Sequence, residues 1–288
     1  MSRENIFDKM NKVQNIAYEI DKIERLLRSK SGVLVRNEYE IDFEVGIYKS
    51  IIDYVDGCLF MKWKNRATCI CCRDVAQMVG IDQMPSVINY EWILNYCEYA
   101  ANILYLVKSK ARPYDLLGDE VDAALHNICV LLGWYGYKVE YLANDEKALV
   151  VRQSAQATAV AEVLPADLAK LVIEYNHFTL RGDKKRKKDI LIALGAALEA
   201  KRKELNSINK SLADKIFFML NNLNIRHNNV EKGHKGYNES VAKMKNSTLE
   251  NWYDELYQMI LLAYLLMDNQ DRNVKVDELI CKIGNKEN

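Results

Sequence analysis

Apolar residues recur at three- and four-residue steps along most of the chain, which is the period of amphipathic helices. The first such stretch runs from Ile6 to Leu27, with acidic and basic residues between the apolar ones. It predicts a long helix that ends at Ser31-Gly32, since glycine commonly follows the last turn of a helix. Its single narrow apolar stripe is expected to pack on the rest of the chain or against a second copy.

The same period predicts helices over most of the remaining sequence. Pro85-Ser86 is expected to begin one of them with a serine cap, and Pro165 stands at the first turn of another. The predicted helices lie near residues 43–63, 70–79, 86–109, 119–134, 166–176, 183–206, 209–225, 247–268 and 275–283.

One segment shows the two-residue alternation of a β-strand pair. Tyr137 to Leu142 alternate, Asn144-Asp145 offers a turn, and 149–151 form a second apolar run. The sequence therefore predicts a β-hairpin near 137–151. It marks the expected boundary between a helical N-terminal region, 1–130, and a helical C-terminal domain, 131–288, entered through the hairpin. The expected fold class is mainly α, a multi-helix bundle with this one small hairpin.

The composition also favours helices. The chain has 288 residues, 49% of them hydrophobic, with only 3 Pro and 12 Gly. Few chain breakers over this length favour long helices over a turn-rich sandwich or barrel. Lys and Arg together number 40, as do Asp and Glu. Because the formal net charge is zero, a nucleic-acid partner can be argued only from local patches.

The sequence predicts a cytoplasmic protein that does not enter a membrane. It opens on polar and charged residues, unlike a secretory signal, and no apolar stretch reaches the roughly 20 residues that span a bilayer. Seven cysteines, an odd number, indicate reduced thiols. Cys69-Ile-Cys71-Cys72 lacks the spacing and the second pair of a zinc site. No metal or other cofactor is expected.

Six of the eight residues from Arg181 to Lys188 are basic. Such a stripe can neutralise the phosphates of a nucleic acid. The alternative is a solvated helix face whose charge is balanced elsewhere in the chain. Asp183, inside this segment, is well placed to cap the helix that follows.

Polar candidates precede and overlap the basic stripe. Tyr175-Asn176-His177 and Arg181-Gly-Asp183 fall within nine residues, at a connection between two predicted helices. Histidine exchanges a proton near neutral pH, and arginine can hold a phosphate through two hydrogen bonds. We therefore predict a catalytic role for His177. Asn176, Arg181 and Asp183 are predicted to bind substrate, or else to form a polar loop that satisfies helix ends.

Four consecutive hydrogen-bonding residues close a strongly apolar helix: Arg226, His227, Asn228 and Asn229. A buried helix end with so many polar groups must find partners for them. In one interpretation Arg226 and His227 are catalytic and the two asparagines bind substrate. In the other they form a C-terminal cap, because His and Arg favour the negative end of the helix dipole and Asn tolerates a left-handed turn.

Four stretches of the second half carry a family resemblance: Tyr175-Asn-His, Arg181-Gly-Asp, Ile225-Arg-His-Asn-Asn229 and Trp252-Tyr-Asp254. Over about residues 132–271 the chain resembles helical bacterial proteins of the abortive-infection kind and, more loosely, the HEPN superfamily. Those domains are compact, helical and often dimeric, and many are metal-independent ribonucleases with an Arg-x4-6-His motif. Counted from Arg226, the positions of that His hold Glu231, Lys232 and Gly233, and His234 follows one residue later.

The resemblance implies a bacterial antiphage-defence effector that acts on or binds RNA. As a ribonuclease it would use His227 or His177 for proton transfer, with Arg226 and Arg181 on the phosphate. The expected partners are RNA or another phosphate-bearing ligand, a partner protein of a defence operon and a second copy of the chain. The alternative is a non-catalytic helical sensor or adaptor that binds a partner protein or a small anionic ligand. Catalysis requires the four side chains to converge within about 8 Å.

Overall fold

The computed structural model describes residues 15–36 and 46–284, and the chain divides into two compact units, Met1–Arg152 and Gln153–Asn288. Within the described residues there are eleven α-helices and two small antiparallel sheets, of three and two strands. The prediction of a mainly α fold is confirmed. No helix in these ranges carries an apolar stretch of membrane-spanning length.

The N-terminal unit combines five α-helices with both sheets. Its α-helices are α1 (Ile16–Arg28), α2 (Ile51–Tyr54), α3 (Cys72–Met78), α4 (Tyr90–Lys110) and α5 (Glu120–Gly133). A π-helix, Val55–Leu59, and a 3-10 helix, Phe60–Lys62, follow α2 directly. The strands are β1 (Val33–Arg36), β2 (Gly46–Lys49), β3 (Leu116–Leu117), β4 (Tyr137–Leu142) and β5 (Lys147–Arg152). They pair in the orders β2-β1-β3 and β4-β5.

The first helix buries the apolar stripe that the sequence predicts. Ile20, Ile23 and Leu27 are at most 1% exposed. The part of the prediction before residue 15 lies outside the described residues. The helix ends at Arg28, earlier than predicted, because the chain is already extended at Ser29. Gly32 does not end the helix. It lets the chain lie close to Ile51 of α2, since a Cβ at position 32 would lie 2.8 Å from a side-chain carbon of Ile51.

Helix α4 forms the centre of the N-terminal unit. Eleven of its residues are buried, and they occupy most of its circumference. A helix that is apolar on nearly every side belongs in a core. It begins at Tyr90 because the side chain of Asn89 accepts a hydrogen bond from the Trp92 N–H at 2.8 Å. The predicted start at Pro85-Ser86 is therefore wrong.

Polar side chains of α4 satisfy the backbone of β5. The amide of Asn102 donates to the Ala148 carbonyl at 2.8 Å and accepts from the Ala148 N–H at 2.9 Å. Glu98 accepts from the Val150 N–H at 2.6 Å. The predicted hairpin is confirmed, and these bonds attach it to the N-terminal unit. The division between the units lies after Arg152, whereas the sequence placed it at residue 130.

The three-stranded sheet was not predicted. The helix expected over 43–63 is wrong at Gly46–Lys49, which form β2, and residues 43–45 lie outside the described residues. Strands of four and two residues are too short to show an alternation. The buried carboxylate of Asp115 secures the sheet, accepting from Arg36 N at 3.0 Å, Arg112 Nε at 2.8 Å and the Tyr54 hydroxyl at 2.6 Å.

The C-terminal unit is helical throughout its described residues. Its helices are α6 (Ala155–Val163), α7 (Ala166–Tyr175), α8 (Lys184–Ala200), α9 (Arg202–Asn222), α10 (Glu239–Ala242) and α11 (Asn246–Gly284), with a 3-10 helix at Phe178–Leu180. Helix α6 was not predicted. The break expected between 206 and 209 is a kink inside α9 at Asn209, whose side chain caps the second segment by accepting from Leu212 N. The two helices predicted after 247 are one helix of 39 residues.

The core of this unit gathers around α8, α9 and the first part of α11. Leu256 and Ile260 of α11 are fully buried, whereas residues 269–283 are all exposed. Helices α8 and α9 approach closely at Gly195, where a Cβ would lie 2.8 Å from a methyl carbon of Leu220. A larger residue at position 195 would require the Leu220 side chain to move.

Replacing Asn102 tests the bond between α4 and the hairpin. Asn102→Ala leaves both polar groups of Ala148 without their partner, so we expect the free energy of unfolding to fall by about 2 kcal/mol. Asn95→Ala is the matched control, because Asn95 lies on the same helix and forms no side-chain hydrogen bond with a described residue. Urea denaturation of both variants measures the difference, and equal losses would contradict this role of Asn102.

Candidate functional sites

The polar cluster after α9 has the backbone geometry of a helix C-terminal cap. The helix ends at Asn222, and Asn224 adopts a left-handed conformation with φ of 57°. The chain then turns back, and the N–H of Arg226 donates to the Leu220 carbonyl at 2.9 Å. A left-handed residue just after the last turn is how many helices satisfy their final carbonyls.

The guanidinium of Arg226 is paired inside its own unit. It donates to the carboxylate of Glu199 at 2.7 Å and to the carbonyl of Gly195 at 2.8 Å. It also lies over the ring of Phe217. The hydrogen bond from Arg226 holds the pKa of Glu199 below its ordinary value. Arg226 thus joins the loop after α9 to the C-terminal half of α8.

The two asparagines stabilise the loop that follows. Asn229 is 2% exposed, and its side chain accepts from Asn224 N at 2.8 Å and donates to the Gly236 carbonyl at 2.7 Å. Asn228 accepts from Glu231 N at 3.2 Å and donates to the Glu231 carboxylate at 2.7 Å. His227 lies on the surface beside them. These contacts account for both asparagines as structural residues.

The residues predicted around 175–183 are also engaged locally. Asn176 donates to the Tyr257 hydroxyl at 2.7 Å. His177 Nδ1 lies 2.7 Å from the Thr179 hydroxyl and precedes the 3-10 helix. Asp183 caps α8 by accepting from Arg186 N at 2.9 Å, as the sequence predicts.

The two predicted clusters lie at opposite ends of α8. Asp183 and its neighbours precede the first turn, whereas Arg226 contacts Gly195 and Glu199 near the last turns. At a rise of 1.5 Å per residue, Asp183 and Gly195 are about 18 Å apart along the helix axis. The structure therefore does not bring His177 and Arg226 around one reacting phosphate.

A buried lysine organises the 175–183 end instead. Lys187 is 5% exposed and donates to Glu250 at 2.8 Å and to Asp254 at 2.7 Å. The Tyr175 hydroxyl also donates to Asp254 at 3.0 Å, and the Gly182 N–H donates to Glu250 at 2.7 Å. A buried ammonium needs such compensation. The sequence showed the charge of Lys187 but not the distant carboxylates that pair with it.

A second candidate site lies in the N-terminal unit, to which the sequence assigned no function. A cavity of about 600 Å³ opens among α1, the turns from α2 through the π-helix, α3 and α4. Five carboxylates line it against two guanidiniums. The acidic residues are Asp21, Glu24, Asp53, Asp56 and Asp82, and the basic ones are Arg28 and Arg73.

Some of these charges are paired within the wall. Glu24 binds Arg28 through one oxygen and accepts from the Tyr96 hydroxyl at 2.8 Å through the other. Asp56, in the π-helix, accepts from the Cys72 N–H at 2.7 Å. Asp53 precedes it by one turn and accepts from the Ser50 hydroxyl at 2.7 Å. π-Helical turns are frequent at functional sites.

Three aromatic residues of α4 form another wall. Trp92, Tyr96 and Tyr99 follow one another at the four- and three-residue steps of a helix face. The rings of Trp92 and Tyr96 are stacked, with centroids 5.3 Å apart. Trp92 is 7% exposed, and its indole N–H has no hydrogen-bond partner among the described residues. A buried unpaired donor costs roughly 1–3 kcal/mol, so this one calls for an explanation.

The Cys72 thiol and the phenols of Tyr96 and Tyr99 in the cavity wall stay protonated at neutral pH. Burial and the neighbouring Asp56 raise the pKa of the Cys72 thiol well above its ordinary value. Burial likewise raises the pKa of the Tyr96 and Tyr99 phenols. A thiol in this state is a poor nucleophile. Among the described residues, no group of three or more His, Cys, Asp or Glu side chains could hold a metal ion.

Two signals in the sequence point to this cavity, although neither is specific. Asp53 and Asp56 are three residues apart, and the aromatic residues of α4 share one face. Acidic pairs and aromatic stripes on helices are also ordinary features of surfaces and cores. Their convergence on one cavity depends on contacts between distant elements.

No family model, curated protein or solved structure matches this chain.

Arg226 and His227 respond differently if the cluster after α9 is structural. Arg226→Ala removes two charge-assisted hydrogen bonds, so we expect the free energy of unfolding to fall by about 2 kcal/mol. His227→Ala changes an exposed side chain and should cost less than about 0.5 kcal/mol. Thermal and urea denaturation measure both. An Arg226→Ala protein with the free energy of unfolding of the wild type would contradict the structural role.

Proposed function

We propose that this protein is a non-catalytic ligand-binding protein whose N-terminal unit takes a small organic molecule in the cavity between α1 and α4. The observation that carries the proposal is the cavity itself, of about 600 Å³. Small-molecule sites usually enclose roughly 300–1,000 Å³ and combine apolar walls with a few placed polar groups. The aromatic residues of α4 and the carboxylates of α1 and α2 supply these two components.

The chemistry of the wall favours binding over catalysis. The Cys72 thiol is protonated, and Glu24 is held by Arg28 and Tyr96. A general base or nucleophile needs a group poised to exchange a proton or attack. A wall that can bind a small molecule without reacting with it fits a sensor protein.

A cavity-filling substitution tests this function. Ala76 of α3 lines the cavity, and Ala76→Leu would reduce its volume. In thermal denaturation with a panel of small cations, anions and neutral polar molecules, we expect at least one class to raise the Tm of the wild type. Ala76→Leu should abolish that shift. Ala123→Leu, on α5 outside the cavity, should retain it.

Two outcomes would contradict the binding function. In one, no member of the three classes shifts the Tm. In the other, Ala76→Leu retains the whole shift, which would place the ligand elsewhere. Circular dichroism of both variants verifies that each is folded.

The second candidate function is RNA binding by the C-terminal unit, in the antiphage-defence role that the HEPN-like resemblance implies. Arg181, Lys185 and Lys188 form no salt bridge with a described carboxylate, and they cluster at the start of α8. The neighbouring Arg186 and Lys187 are paired with Glu174 and with Glu250 and Asp254. Lys185 and Lys188 are therefore the unpaired cations that can neutralise phosphates, whereas Arg181 also interacts electrostatically with Glu250. This observation favours binding of RNA rather than cleavage.

Salt-dependent binding tests this candidate. Lys185→Gln/Lys188→Gln should weaken binding of a fluorescent RNA and reduce the slope of log affinity against log salt by about 2. The matched control is Lys275→Gln/Lys282→Gln, which removes two exposed lysines from α11. Fluorescence anisotropy gives both values. Equal weakening by the two pairs would show only nonspecific attraction.

The ribonuclease form of this candidate has its own measurement. A metal-independent ribonuclease would cleave RNA incubated with the full chain in EDTA, and His177→Ala would abolish that cleavage. Intact RNA would reject catalysis and leave the binding candidate to the anisotropy experiment.

A further inference from the structure

We propose that the ligand of the N-terminal cavity is an organic cation with ammonium or guanidinium groups. This inference rests on the proposed function, that the cavity binds a small molecule. Five carboxylates against two guanidiniums give its lining a formal charge of −3. A concave surface with an excess of one sign attracts the opposite charge.

Ion pairs reduce this excess from −3 to −2 but do not remove it. Arg28 is bound to Glu24, so these two charges cancel. Asp21 is paired with Arg25, a surface residue. The charges that remain are those of Asp53, Asp56 and Asp82 against the single guanidinium of Arg73, which forms no salt bridge with a described residue. An anion would therefore meet net repulsion, and a cation net attraction.

The remaining carboxylates also have hydrogen-bonding capacity for a ligand. Asp53 uses Oδ2 for the Ser50 hydroxyl, and Asp56 uses Oδ1 for the Cys72 N–H. The second oxygen of Asp53 has no hydrogen bond to a described residue, and neither does the carboxylate of Asp82, whereas the carboxylate of Asp56 also accepts from the Cys72 thiol. An ammonium group has three donors and a guanidinium five, and both seek acceptors of this kind.

The aromatic wall suits the same class of ligand. Trp92, Tyr96 and Tyr99 line the cavity beside the carboxylates. Aromatic rings attract cations. They also pack against the apolar carbons to which the charged groups of an organic cation are attached. The indole nitrogen of Trp92 has almost no accessible surface, so it does not face the cavity, and Trp92 contributes apolar ring surface to the wall.

Three molecules with the same four-carbon chain and different end groups separate the effect of charge on binding from the effect of size. Putrescine carries two ammonium groups, 1,4-butanediol two hydroxyls and succinate two carboxylates. Isothermal titration of the full chain at low salt should detect putrescine, and the longer spermidine, but not the diol or succinate. The double variant Asp53→Asn/Asp56→Asn should weaken both amines about tenfold or more, a loss of about 1.4 kcal/mol. Asparagine retains the acceptor oxygens that bind Ser50 and Cys72, so the wall should remain folded.

The control for general charge is Asp122→Asn, because Asp122 lies on α5 of the same unit with a side chain 78% exposed. It should bind both amines as the wild type does. Equal weakening in this variant, or unchanged binding in the double variant, would overturn the cation assignment. So would failure of both amines to bind.

The outcomes also separate the ligand class from the proposed function. Binding of the diol or succinate that Ala76→Leu abolishes would reject the cation while the cavity remains a binding site. If no molecule of any charge class binds, the binding function and the cation assignment both fail.

Discussion

Backbone groups outside the regular ladders of helices and sheets need hydrogen-bond partners, and in both units polar side chains supply many of them. Asn102 of α4 binds both polar groups of Ala148 on β5. In the other unit, Glu250 of α11 accepts from Gly182, and Asn229 closes its loop through Gly236. With few prolines and glycines to set the turns, these side chains fix the connections. They attach each loop to a particular helix.

The elements that the sequence predicts well are those with a strong local period. Helices α1 and α4 and the hairpin follow from the spacing of apolar residues, because burial on one face imposes that spacing. Elements that depend on distant partners do not follow. The strand at Gly46–Lys49 exists because it pairs with β1, and the helix expected over 183–206 already ends at Ala200. The period shows neither.

The candidate sites also depend on contacts between distant residues, which the sequence pattern does not show. Arg226 and Asn229 are adjacent to other polar residues in the sequence, yet each is used by a different structural contact. The acidic cavity has the opposite character, because Asp21, Asp53 and Asp82 are far apart in the sequence and meet only in the fold. A neutral chain can therefore contain a strongly charged site. Net charge conceals it, since the compensating lysines and arginines lie elsewhere.

In the long helix α11, the packed first part stabilises the exposed turns that follow it. Its turns up to Met267 are held by the core, whereas residues 269–283 are exposed. The exposed turns need no nucleus of their own, because they propagate a helix that is already formed, and propagation is far less costly than initiation. Their amide protons are protected by the backbone ladder alone. Opening therefore becomes easier turn by turn toward the C terminus, and hydrogen exchange along this helix forms a gradient rather than a step.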